Sequence, residues 1–301
     1  MQAVLIYETG GPEVLSLEET ERPEAGEGEV LIRVRAASVN PIDWKIRRGL
    51  REVSLPKILG NDVSGVVELS RAEGFVMGDE VFGIAPSGGY AQYATAPASA
   101  IAKKPAGISH EQAAALPVSG MTAWQALFDI GGLQSGQTAL VAGGAGGVGH
   151  LAVQFARHAG AKVIATGSSR NRDFVLGLGA EEYIDYTKQD VGESVSGVNV
   201  AFDTVGGNTT ESLVPPLREG GVLVTIANAP PEQAAAERGA RAELLLMSTS
   251  PEQLARIAGL VADGEVRVEI AQAFPLSEAR QAHELSEAGH TRGKIVLTVG
   301  G

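Results

Sequence analysis

The chain has 301 residues, 44% hydrophobic and 20% charged, which excludes a disordered polypeptide and is enough for two domains with a sizeable core. A net charge of −12 disfavours nucleic acid and anionic membrane as partners, and the absence of cysteine excludes disulfides and every thiolate metal site. No signal-peptide pattern is visible and no run approaches the ~18 apolar residues of a membrane span, so a cytoplasmic protein is expected.

Residues 2–7 and 14–18 read as strands around the turn cluster Gly10-Gly11-Pro12. Residues 21–29 form a polar loop. Over 30–36, Val30, Ile32, Val34 and Ala36 alternate with Leu31, Arg33 and Arg35, the pattern of a half-buried antiparallel strand. Short strands are expected at 63–68, 80–82 and 89–93, with a turn or two of helix near 43–48. This first third is therefore mostly β. Ser109-His110-Glu111-Gln112 is a capping box that opens a helix, and 120–129 reads as another.

From Thr138 strands and helices alternate. Strands are expected at 138–142, 162–166, 183–185, 198–203, 221–226 and 242–247, with helices at 172–177, 210–215 and 251–262. Such alternation predicts a parallel sheet covered on both faces, a doubly wound α/β domain. The chain then returns to a strand at 266–270, a helix at 277–287 and a closing strand at 294–299.

The most informative stretch is 138–156, TALVAGGAGGVGHLAVQFA. A short apolar run is followed by G-x-G-x-x-G at Gly144, Gly146 and Gly149, and then by Leu151, Ala152, Phe155 and Ala156 at helical spacing. Strand, glycine turn and helix in that order make a dinucleotide site, where backbone approaches a pyrophosphate seated on the helix N-terminus. A glycine-rich turn with no ligand is the alternative. The next strand ends where an acidic residue holds the adenosine ribose of NAD, yet no Asp or Glu lies between Asp129 and Asp173. Ser168, Ser169, Arg170 and Arg172 stand there instead. Hydroxyls and guanidinium groups suit a 2′-phosphate, so NADP is expected over NAD, although a solvated turn uses the same residues. Tyr186 falls beside the adenosine or is a half-exposed core residue.

Five histidines with no H-E-x-x-H and no cysteine partner give no zinc site. His150 and His158 read as solvated, on the polar side of the helix after the glycine turn. No G-x-S-x-G elbow is present and no paired carboxylates stand out as a glycosidase site. Lys45 and Lys294 read as surface lysines.

Six segments carry a family resemblance over nearly the whole chain. Besides the glycine turn they are Ser38-Val39-Asn40-Pro41-Ile42-Asp43-Trp44-Lys45, Ile58-Leu59-Gly60-Asn61-Asp62-Val63-Ser64-Gly65, Gly78-Asp79-Glu80-Val81-Phe82-Gly83, Ile184-Asp185-Tyr186-Thr187 and Arg292-Gly293-Lys294-Ile295-Val296-Leu297. The chain resembles the zinc-free medium-chain dehydrogenase/reductase superfamily, in particular its quinone oxidoreductases and alkenal/enone oxidoreductases. The resemblance implies a GroES-like β-rich substrate domain over 1–115 completed by 265–301, and a Rossmann-like NADP-binding domain over 116–264. It implies that Gly147 and Val148 hold the pyrophosphate, and that Ser168, Ser169 and Arg170 hold the 2′-phosphate. Tyr186 would reach the adenosine, and Ile226 would line the nicotinamide pocket. Arg292, Gly293 and Lys294 would close over that pocket, and Lys45, Asn40 and Thr122 would lie near the cofactor or substrate. The activity implied is metal-free hydride transfer from NADPH to a quinone or to the activated C=C bond of an enone, with Lys45 and Asn40 as catalytic candidates. An enoyl-thioester reductase of the same fold and a non-catalytic NADPH-binding sensor or structural protein are the alternatives. A homodimer formed through the Rossmann-like domain is expected, with no nucleic acid or membrane partner.

Overall fold

The computed structural model describes Met1–Gly300. The strands in chain order are β1 (Gln2–Ile6), β2 (Ser16–Glu19), β3 (Glu29–Val39), β4 (Lys57–Ile58), β5 (Asp62–Ser70), β6 (Glu80–Ile84), β7 (Tyr93–Pro97) and β8 (Ile101–Lys103). They continue as β9 (Thr138–Ala142), β10 (Lys162–Gly167), β11 (Glu182–Asp185), β12 (Val198–Asp203), β13 (Leu217–Thr225), β14 (Arg241–Leu244), β15 (Ile270–Pro275) and β16 (Lys294–Thr298). The helices are α1 (Pro41–Arg47), α2 (His110–Ala114), α3 (Pro117–Trp124), α4 (Gly149–His158), α5 (Arg172–Gly177), α6 (Val191–Ser194), α7 (Asn208–Ser212), α8 (Glu232–Glu237), α9 (Pro251–Ala262) and α10 (Ala279–Glu287). Two compact units result: Met1–Met121 with the segment from Thr249 onward, and Thr122–Ser248.

In the first unit, β3 is the central strand. It pairs antiparallel with β5, β7 and β16, in a sheet ordered β15-β16-β3-β5-β6-β8. Val30, Ile32 and Val34 enter one core with Leu59, Tyr90, Ile101, Phe274, Ile295 and Leu297, so residues more than 200 positions apart share a single apolar interior. The closing strand is thus part of the sheet that the first third begins. A fragment ending at residue 115 lacks β16 and leaves that edge of β3 open. It should be poorly folded, and a well-dispersed, cooperatively unfolding fragment would contradict this.

Two expected strands are displaced. Residues 89–93 do not form one: Gly88 turns with φ +105, Gly89 and Tyr90 donate to Leu59 O, and the strand starts at Tyr93. The strand expected at 266–270 is β15 instead, because Glu265 and Val266 still donate to Leu260 O and finish α9. The division between units also differs from the one read in the sequence. Residues 116–121 and 249–264 group with the first unit, where α9 packs on β8, Ser250 N–H points at Met121 Sδ 3.4 Å away and Gly120 abuts Ile257.

The second unit is a six-stranded, wholly parallel sheet ordered β11-β10-β9-β12-β13-β14. Numbered from β9, this is 3-2-1-4-5-6, the strand order of a dinucleotide-binding fold whose ligand sits beyond the carboxyl ends of the strands. Burial on both faces explains the near-continuous apolar runs of β9, β10 and β12. The helix expected at 120–129 begins earlier, at Pro117, and continues past Trp124 as a wide turn over Gln125–Ile130. Among the described residues no helix is long and apolar enough to cross a membrane.

Candidate functional site

Candidate residues fall in both units. In the first, a buried polar network surrounds Asn40. The residue is extended, Pro41 starts α1 behind it, and the Asp43 carboxylate reaches back to accept from Asn40 N–H at 2.9 Å. The Asn40 amide is engaged at both ends. Its Nδ2 donates to Asp62 at 2.8 Å, and its Oδ1 accepts from Lys294 Nζ at 2.5 Å. Asp62 also accepts from Ser38 Oγ at 2.8 Å and from Val118 N–H at 3.0 Å. Lys294 is placed by Gly293, whose φ of +75 and close approach to Glu269 O (2.2 Å from where a Cβ would stand) admit only glycine.

This network corrects one sequence expectation. Lys294 is not a surface lysine; it is 3% exposed. Asp43 and Asp62 are also buried, each bonded to Asn40, and both act electrostatically on the same ammonium. Burial lowers the pKa of Lys294, while Asp62 and Asp43 oppose that shift. Burial raises Asp62, and it pushes Asp43 up to about 7 against the bonds from Asn40 N–H and Tyr90. Tyr90 OH donates to Asp43 at 2.9 Å, and its pKa is raised by burial and by Asp43. His283 Nε2 lies 3.3 Å from that hydroxyl, and burial, with Arg47 beside it, lowers the imidazole to about 3. His283 is therefore neutral, and its Nε2 shares a hydrogen bond with the Tyr90 hydroxyl. Lys45, on the next turn of α1, is half-buried with its ammonium 5.7 Å from the Trp44 ring. Arg292 is exposed.

The sign of the Asp43 shift gives a prediction. The folded protein keeps this proton until about 7, whereas the unfolded chain releases it near the ordinary 3.8. Between roughly pH 4 and 7 the folded state holds more protons, so the contribution of Asp43 is full below that window and is lost as pH rises through it. Asp43→Asn should remove up to about 1.4 kcal/mol per pH unit of this downward slope. Urea unfolding of both proteins at several pH values checks it; parallel profiles would refute it.

In the second unit, the chain leaves β9 through Gly143, whose φ is +74. A Cβ on Gly149 would lie 2.1 Å from Gly143 O, so glycine is what lets α4 start against the strand end. Gly144 is buried, with Ala165 2.9 Å from where its Cβ would stand, while Gly146, Gly147 and Val148 form the accessible tip before the positive end of α4. His150 is fully buried rather than solvated, with its Nδ1 2.9 Å from Gly146 O; His158 is exposed. Thr122 is buried on α3, and Ile226 follows β13 with its N–H on Asp203 O at 3.2 Å.

Ser169 and Arg170 are exposed after β10, with Ser168 half-buried. Tyr183 OH donates to Ser168 O at 2.7 Å, and Ser169 Oγ donates to Asp185. The Asp185 carboxylate also accepts from Thr187 N–H at 3.0 Å and Thr187 Oγ1 at 2.6 Å. Those bonds, led by the one from Ser169, hold it well below the usual carboxylate range. Tyr186 beside it is 56% exposed. Sequence reasoning missed Asp203, which anchors the loop after β12 through Val205 N–H, Gly206 N–H, Thr210 and Thr225.

Two family models match the chain: the alcohol dehydrogenase GroES-like domain over residues 26–106 and the zinc-binding dehydrogenase over 178–297. Quinone oxidoreductase of Mus musculus is 34% identical, covering 99% of this chain and 97% of its own. This chain belongs to the zinc-free quinone oxidoreductase family of medium-chain dehydrogenases/reductases. Also similar are the 2-methylene-furan-3-one reductase of Solanum lycopersicum, 34% identical over 99% of this chain and 79% of that one, and a crystal structure of Escherichia coli quinone oxidoreductase complexed with NADPH. The latter superposes with a TM-score of 0.90 at 30% identity, covering 99% of this chain and 100% of the other. The quinone oxidoreductase family member described here is thus an oxidoreductase.

One matched model carries zinc in its description, and the residues of this quinone oxidoreductase family member do not fit that metal. The chain has no cysteine, and among the described residues no three of His, Asp and Glu converge as a ligand set. What the first unit offers instead is a buried ammonium, an amide and two carboxylates, which order α1 and can hold protons. The second offers an accessible glycine turn at a helix N-terminus and, at the end of the neighbouring strand, hydroxyls with a guanidinium.

Proposed function

We propose that the protein binds NADP(H) on the second unit and reduces a quinone, or the activated C=C bond of an α,β-unsaturated carbonyl compound, without a metal. The observation that carries this reading is the glycine turn between β9 and α4, followed after β10 by Ser168, Ser169 and Arg170 with no carboxylate in that turn. The relatives' printed names support the substrate class. In this reading Gly144, Gly146, Gly147 and Val148 hold the pyrophosphate, Arg170 meets the 2′-phosphate and Tyr186 covers the adenosine. Thr122, Ile226 and Arg292 to Lys294 serve the nicotinamide end.

When bound, NADPH supplies a hydride. Negative charge then develops on the substrate oxygen, and a fixed donor must meet it. Lys45 is that donor, and it or water delivers the proton. Asn40, with its amide engaged by Lys294 and Asp62, is a positioning residue that fixes the start of α1 below Lys45. NADPH oxidation should be measured against a panel of quinones, enones and enoyl thioesters. Turnover with quinones or enones is expected. Activity confined to thioesters, or cofactor binding with no turnover anywhere in the panel, would overturn the assignment.

The reading extends to assembly. β14 is an edge strand of the parallel sheet, and Leu244 and Leu246 beside it are 44% and 79% exposed. Such an edge is a liability unless covered, and a second copy of the chain covers it in a homodimer. Sedimentation at micromolar concentration should show a dimer that Leu246→Glu converts to monomer; a wild-type monomer would contradict it.

A further inference from the structure

The turn after β10 is held by the neighbouring strand at two consecutive residues. Tyr183 OH donates to Ser168 O, and the Asp185 carboxylate accepts a hydrogen bond from the Ser169 hydroxyl. A serine hydroxyl carries one proton. While that hydroxyl donates to Asp185, Ser169 presents only lone pairs to an incoming anion, although its position suits a phosphate donor. Asp185 is itself nearly buried, and Thr187 and the Lys188 ammonium, 3.3 Å away, help keep it ionised. A negative charge is therefore fixed one hydroxyl away from a turn whose arginine attracts negative charge.

We propose that Asp185 is a specificity-determining residue that moderates selection for the 2′-phosphate, by withholding the Ser169 proton and by repelling the phosphate. Attraction is left to the guanidinium groups of Arg170 and Arg172. The inference rests on reading this turn as the 2′-phosphate site. The residue acts on the ratio of affinities for phosphorylated and unphosphorylated cofactor, since a ligand without the 2′-phosphate brings no charge to this turn.

The test is calorimetric titration of the full chain with 2′,5′-ADP and 5′-AMP, which need no turnover. Asp185→Asn removes the charge, and its single amide oxygen can keep the Oδ1 bonds from Thr187 while the bond that Ser169 makes to Oδ2 is lost. It should raise the preference for 2′,5′-ADP over 5′-AMP by about threefold to tenfold. Ser169→Ala should lower 2′,5′-ADP affinity less in the wild-type background than in Asp185→Asn, where the hydroxyl is freer to turn to the phosphate. An unchanged or lowered preference in Asp185→Asn, including equal weakening of both ligands, overturns the proposal. So does an equal effect of Ser169→Ala in the two backgrounds. If Arg170→Ala and Arg172→Ala still lower the preference, the proposal alone has failed. If the wild type shows no preference and neither arginine matters, the reading of the turn has failed as well.

Discussion

Asp62→Ala should destabilise the protein by roughly 3–5 kcal/mol, the cost of breaking a buried charge network by removing one partner. The substitution strands Ser38 Oγ, Asn40 Nδ2 and Val118 N–H in the interior, and leaves the Lys294 ammonium with only the more distant charge of Asp43 to offset its burial. Each of those groups then carries its own desolvation penalty. Replacing the charges together is a different experiment. Asp62→Leu with Lys294→Met removes both buried charges, which are linked through Asn40, and should recover part of the loss because the desolvation cost of both charges goes with them. Urea unfolding of wild type, both single variants and the double variant measures the coupling. An Asp62→Ala protein within about 1 kcal/mol of wild type would show that the network contributes little.

Arg170→Ala should raise the apparent dissociation constant for NADPH by about tenfold to a hundredfold, with little effect on NADH. Charge-assisted hydrogen bonds contribute about 1.5–3 kcal/mol each, and ~1.4 kcal/mol is a factor of ten. The turnover rate at saturation should hold, since a 2′-phosphate contact is remote from the transferred hydride and binds ground and transition states alike. Arg172 is the comparison. It is exposed, and its guanidinium lies 3.9 Å from the equally exposed Asp173, a pair that restrains it only weakly. If neither substitution changes the ratio of NADPH to NADH, or if the wild type prefers NADH, the assignment of this turn is wrong.

The parts of the fold legible in the sequence are those with a local cause. β9, β12, α5 and α9 lie where the apolar runs and helical spacing put them, because parallel strands buried on both faces have no polar interruptions to blur their ends. β4 and β8, with two and three residues, are too short to show any period. The glycine turn was readable for the same reason, since strand, turn and helix are contiguous. The network around Asn40 was not. Its partners are 22 and 254 positions away, and the general rule that lysine stays at the surface pointed the wrong way for Lys294. His150 misled similarly: its ring turns back to the carbonyl of Gly146, a local bond that helical periodicity does not reveal.

The sheet in which β16 lies against β3 also sets an order of events during synthesis. The residues of the second unit emerge from the ribosome as one uninterrupted stretch and have all their strands in hand before β16 is made. The first unit must wait with a half-finished sheet for its last strands. At translation rates of about 5–20 residues per second, that wait lasts on the order of ten seconds or more, longer than most small domains take to fold. Until then the end of the central strand at 36–39 lacks its partner on one side, where only the end at 29–33 is already paired by β7. The nascent chain therefore exposes a strand edge that the finished protein covers.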